Sequence, residues 1–179
     1  MEREWSIIAA LKVASLVFDL HLSAPTSLLW PSLGPIYGAL TPYLEALLRF
    51  VAGITLLPHA LQKFFGFFPE SKVPSSLDEL ARSLENWGYR PGKFWALVVA
   101  FTELVAGPLL ALGLFTRPAA LPIFVFLALS AAAHGKADGY FWTVHGAEYP
   151  LVWAAIVLFF LIHGGGALSL DHLVLGIEI

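Results

Sequence analysis

The chain has 179 residues, 58% of them hydrophobic and 13% charged, with a net charge of −3 and no cysteine. Soluble domains carry roughly 45–50% apolar and about 25% charged residues, so the composition is that of a membrane protein with room for one domain. The missing thiols exclude disulfides, iron–sulfur clusters, Cys-ligated zinc and a thiol nucleophile. The 10 Lys and Arg are scattered rather than striped, which excludes a nucleic-acid partner.

Residues 1–42 form a segment of their own. Ile7 to Phe18 is apolar apart from Lys12 and Ser15, too short for the roughly 20 residues a span requires. Its start is net acidic, against a signal peptide. We expect an interfacial helix; a fifth span or a signal are the alternatives. Pro25 to Pro42, rich in proline and glycine, reads as irregular chain at the membrane interface.

The first clear span runs from Tyr43 to Phe65. Arg49, Ala52, Leu56, His59 and Lys63 share one helical stripe. Three of them are ionisable, so the stripe should face protein or water. Pro58 predicts a kink over Ile54 to Pro58. The 67–93 stretch is loop-like with one short amphipathic helix. Ser75 or Ser76 should cap it, and Leu77, Leu80, Ala81, Leu84 and Trp87 should line its membrane-facing side.

The second span, Phe94 to Phe115, carries Ala96, Ala100, Glu103, Gly107 and Ala111 on one small-residue stripe. Such stripes let helices pack closely in lipid. A carboxylate at that depth costs at least about 2.5 kcal/mol unless a partner meets it, so Glu103 should point at span one, near His59 or Arg49. Pro108 should kink the helix one turn beyond the acid. The third span covers Pro118 to His134, and the fourth starts at Glu148 and ends near His163 before three glycines. The expected fold class is therefore all-α: a four-transmembrane-helix bundle, with the N-terminal interfacial helix and the short amphipathic helix in the first loop.

Alternating direction brings the ends of the spans into two groups. His59, Glu103, His134 and Glu148 fall toward one side of the membrane. Arg49, Arg117, His163 and Asp171 fall toward the other. Lining a pocket on the first side, with the 135–148 loop as its rim, would be His59, Glu103, His134, Trp142 and Glu148. Those four His and Glu residues are acceptable metal ligands by type. Two of them sit at span ends, however, and no metal site is expected.

Leu48-Arg49 with Gly53, His59-Ala60-Leu61-Gln62-Lys63 with Gly66, and Glu103 with Gly107 make up one series of short motifs. Gly113-Leu114-Phe115-Thr116-Arg117, His134, Glu148-Tyr149-Pro150, Gly164-Gly165-Gly166 and Ser169-Leu170-Asp171 continue it. In order and spacing, though in no single piece, the series resembles the DoxX family of small bacterial and archaeal membrane proteins. The resemblance covers residues 43–171 as a four-helix membrane domain, leaving 172–179 as a tail. It implies an inner (plasma) membrane, multi-pass location. It also implies kinship with a small subunit of thiosulfate:quinone oxidoreductases and with redox or oxidative-stress systems; distant relatives act as cargo receptors or assembly chaperones.

Two functional classes follow. In a quinone-linked redox subunit, Glu103 and His59 would transfer protons, while Arg49, Lys63, His134, Trp142 and Glu148 would bind the ligand. The cofactor would be a quinone. No covalent cofactor is expected, nor haem, for which His59 and His134 would be the axial pair. Electrons would come from a membrane or peripheral redox partner. In the second class the chain is a non-enzymatic scaffold or assembly partner, whose buried charges only fix helix register. A small proton-linked carrier is a third option, and a homo-oligomer in lipid is compatible with all three.

Overall fold

The computed structural model describes residues 28–68 and 76–177; the helix expected over Ile7 to Phe18 lies outside them. Among the described residues every regular element is helical. The chain forms two compact units, residues 1–39 and 40–179. The described part of the first is a single 3₁₀ turn, Pro31–Leu33, leading into the start of α1.

Helices α1 (Gly34–Ile54) and α2 (Leu57–Phe65) form a stretch from Pro31 to Phe65 long and apolar enough to cross a membrane. The irregular chain expected up to Pro42 is instead helical from Gly34, with Pro42 inside the helix. Pro35 falls in the first turn, where no amide donor is needed. Pro42 forfeits one bond, but in an apolar setting every other backbone group gains by staying in the ladder. The expected kink is present. Pro58 has no N–H for the Ile54 carbonyl, and the Leu56 N–H bonds the Gly53 carbonyl three residues back at 3.2 Å. That single tight turn separates α1 from α2.

Helix α3 (Leu77–Asn86) is capped by Ser76, whose Oγ accepts the Glu79 N–H at 3.3 Å, with Asp78 and Glu79 in its first turn. Its apolar side was expected to lie on the membrane. It packs instead through Leu80, Ala81 and Leu84 against Ala96 of α4 (Gly92–Phe101). Gly92 allows the approach: a Cβ there would strike the Ala81 carbonyl. Its amide donates to Glu85 Oε1 at 3.0 Å, stapling the two helices.

A π turn, Thr102–Ala106, joins α4 to α5 (Gly107–Leu112), and the three make one continuous rod of membrane-crossing length. The third such rod is α6 (Thr116–Ala137), which packs along α7 (Glu148–His163). At 16 residues, α7 is about 24 Å long, shorter than the other three and than the roughly 30 Å of hydrocarbon in a bilayer. Between these elements lies a core of Leu56, Leu110, Ile123, Leu127, Val157 and Phe160, interleaved with alanines. The outward faces carry large apolar side chains, among them Leu47, Phe101, Val105, Leu121, Val125 and Leu151.

Candidate functional site

The small-residue stripe of the second rod is buried along its whole length, as expected: Ala96, Ala100, Glu103, Gly107 and Ala111. Its lower part faces span one at backbone distance. A Cβ on Gly53 would collide with the Gly107 carbonyl and the Ala111 backbone. One on Gly107 would lie 2.9 Å from the Gly53 oxygen and 3.1 Å from Leu56 Cβ. This glycine crossing brings α2 alongside the π turn.

There Glu103 meets Lys63. The Lys63 Nζ donates to both carboxylate oxygens at 2.6 Å, and the two side chains are 9% and 3% exposed. The expected partners of Glu103 were His59 or Arg49, and the structure corrects this. The tight turn at Leu56 shifts the phase of α2, so Ala60 and Gln62 are buried while His59 is left exposed, one turn before Lys63. The sequence signal for Lys63 was its place on the stripe; what the pattern could not carry was the change of phase at Pro58.

The kink also falls elsewhere than expected. Pro108 offers no N–H to Leu104, and the ladder responds by widening: the Gly107 N–H reaches the Thr102 carbonyl five residues back. Glu103 thus sits inside the π turn rather than one turn before a bend. Such bulges recur at functional sites.

A second polar cluster closes the other end. Arg49, 3% exposed, donates from Nη1 to the Gly165 carbonyl and from Nη2 to the Leu168 carbonyl at 3.0 Å. Asp171 is fully buried. Its Oδ1 accepts the Phe115 N–H at 2.7 Å, and its Oδ2 accepts the Thr116 N–H at 2.9 Å and the Thr116 hydroxyl at 2.7 Å. The carboxylate therefore caps α6 where the helix dipole favours negative charge, which is why α6 begins at Thr116 and not at Pro118. Gly113 and Gly165 have no room for a side chain: a Cβ on the first would meet the Arg49 guanidinium and Ser169, one on the second Ser169 and Thr116. Arg117 bonds the Ile162 and His163 carbonyls at 3.3 Å. Arg49, Arg117, His163 and Asp171 thus share one end, as their spans' directions predict.

The remaining candidates are held locally. His134 Nδ1 lies 3.5 Å from Asp138 Oδ2, and its ring packs edge-on against Trp87. Glu148 Oε2 accepts the Trp142 N–H at 3.0 Å, while the Trp142 ring is exposed. An apolar recess of about 580 Å³ lies between Phe94, Phe101, Val105 and Pro122, and a smaller one of about 260 Å³ between Trp87, Tyr89 and Lys136. Neither is lined by His59, Glu103, His134, Trp142 or Glu148. Among the described residues no three His, Asp or Glu side chains converge as metal ligands.

An ion pair sealed between apolar helices, with a capped polar cluster at one end, defines a helical membrane protein built around internal charge. The chain belongs to the DoxX family, whose model matches residues 44–146. It is 31% identical over 134 residues to an uncharacterized protein of Haemophilus influenzae, covering 73% of this chain and 90% of that one. It is 27% identical over 135 residues to an uncharacterized membrane protein of Mycobacterium tuberculosis, covering 70% of this chain and 77% of the relative. No solved structure matches it significantly.

Proposed function

We propose that the chain is a four-span protein of the inner (plasma) membrane that serves as a small subunit of a quinone-linked redox assembly. In this reading Lys63 and Glu103 handle protons, and His59 is their outlet. One observation carries it: the 2.6 Å contact of Lys63 with both oxygens of Glu103, deep among apolar helices. Ionisable groups at that depth are expensive and mark proton relays. A Lys–Glu pair can pass a proton internally, from ammonium and carboxylate to amine and carboxylic acid, without changing its net charge. His59 is exposed one turn away, where a lipid-dissolved quinone could reach it. Reduction of a quinone consumes two electrons and two protons and yields the quinol. With no cysteine in the chain, we assign the electrons to a membrane or peripheral redox partner. The family's kinship with a quinone oxidoreductase subunit supports the same reading. Arg49, His134, Trp142 and Glu148 have structural partners of their own, so the proposed site narrows to His59, Lys63 and Glu103.

The scaffold reading has an observation of its own. Lys63 directs hydrogen bonds to both oxygens of Glu103, and in this reading the closed pair does no more than fix helix register. Glu103→Gln and His59→Ala separate the two. Each should abolish quinone-dependent turnover per assembled complex, His59→Ala with accumulation in the membrane unchanged and Glu103→Gln beyond the loss of accumulation that stranding Lys63 brings. Activity lost only in proportion to accumulation would favour the scaffold, and full turnover per complex in both variants would sink the redox reading.

A further inference from the structure

The segment between α6 and α7 projects an apolar tip that the proposed site does not use. Tyr140, Phe141, Trp142 and Val144 are each more than half exposed. From Gly139 to Ala147 there is no Lys, Arg, Asp or Glu.

Its backbone is nonetheless closed on itself. Val144 and Gly146 donate to the Phe141 carbonyl at 3.2 and 2.9 Å, and His145 donates to Trp142 at 3.0 Å. Ala147 donates to Gly139 at 3.0 Å, Glu148 to Tyr140 at 2.8 Å, and Trp142 to the Glu148 carboxylate at 3.0 Å. Gly146 makes the fold possible, since a Cβ there would strike Gly139 and Tyr140. A water-facing loop has no need to satisfy its amides internally; a segment in lipid has to.

Helix length points the same way, and here the argument rests on the four-span reading. The far ends of α6 and α7 are tied by Arg117 to Ile162 and His163. The near ends are level as well, because a Cβ on Gly135 would touch Ala147. With its 16 residues, α7 falls short of the hydrocarbon by about 6 Å. That deficit places the tip at the membrane boundary, where Trp and Tyr concentrate. Tyr149, Leu151 and Val152, which follow the loop at the start of α7, are exposed as well.

We infer that the 139–147 loop is a rigid anchor whose Tyr140, Phe141, Trp142 and Val144 side chains insert into the lipid interface.

The absence of cysteine makes the test clean. Phe141→Cys, Val144→Cys, Leu151→Cys and Arg82→Cys each give one thiol for an environment-sensitive fluorophore in the full chain. The labelled protein is reconstituted into phosphatidylcholine–phosphatidylglycerol vesicles, after size exclusion has confirmed that each variant is folded. Labels at 141 and 144 should be quenched by lipids brominated near the headgroup. They should be several-fold less sensitive to iodide than the label at 82, on the exposed side of α3. Iodide quenching at 141 and 144 equal to that at 82 would overturn the anchor. So would protection from both quenchers, which would mark a protein contact. The label at 151 separates the two layers of the argument. If 151 is reached by lipid quencher and 141 and 144 are not, the anchor fails and the four-span reading stands. If 151 is reached by iodide, the four-span reading fails as well.

Discussion

Among the described residues Lys63 and Glu103 hydrogen-bond each other through both carboxylate oxygens, so neither can be removed singly without stranding a charge. Deleting one member of a buried pair costs about 3–5 kcal/mol, whereas replacing both with apolar side chains of similar size is often neutral. Lys63→Met should therefore destabilise the protein strongly in detergent micelles, and Lys63→Met with Glu103→Met should recover most of the loss. Thermal unfolding of the single and double variants measures this, and additive losses would mean that the pair is not coupled. Asp171 tests the other cluster. Asp171→Asn keeps the size but swaps one acceptor for a donor facing the Phe115 or Thr116 groups. Loss of such a helix cap costs about 1–2 kcal/mol, and an unfolding midpoint unchanged from the parent would contradict the capping role.

At the scale of elements, the glycine crossing sets the geometry of the pair. Gly53→Ala would push its Cβ into the backbone of the second rod. Overpacking of this kind costs about 1–3 kcal/mol. It should also spread α2 from the π turn, so the loss should be smaller in a chain already lacking the Lys63 and Glu103 charges; equal losses in both backgrounds would separate the crossing from the pair. Much of this was legible in the sequence. The small-residue stripe from Ala96 to Ala111, the break before Pro58 and the Ser76 cap follow from local spacing and local chemistry, and all three are present. The partner of Glu103 was not legible, because a straight helix keeps Arg49, His59 and Lys63 on one face and does not choose among them. One tight turn at Leu56 rotates both relative to Arg49 and the rest of α1, bringing Lys63 rather than His59 onto Glu103, and its hydrogen bond is a tertiary outcome. Nor could periodicity show that Pro108 would be absorbed by a wider turn at Glu103, or that the apolar side of α3 would be taken up by Gly92 and Ala96.

At the scale of the molecule, the open matter is whether α7 crosses the membrane. Its length alone is marginal, but its environment argues for crossing. Val157 and Phe160 are fully buried in the same core as Ile123 of α6, and α6 is of membrane-crossing length. A helix packed along a spanning neighbour, and tied to it near both ends, lies at the same depth. If it crosses, Arg82 and Lys136 face one side of the membrane and His172 the other. Arg82→Cys, Lys136→Cys and His172→Cys place single thiols at exposed positions in a chain that has none of its own. Treated with a membrane-impermeant maleimide in intact, oriented cells, the thiols at 82 and 136 should react alike, and the thiol at 172 should show the opposite accessibility. Breaking the cells open should make all three reactive. Were 172 to react with 136 in intact cells, α7 would return to its starting side. That result would be at odds with the Asp171 cap on α6, whose hydrogen bonds at Phe115 and Thr116 join the segment after α7 to the end of α6 remote from Lys136.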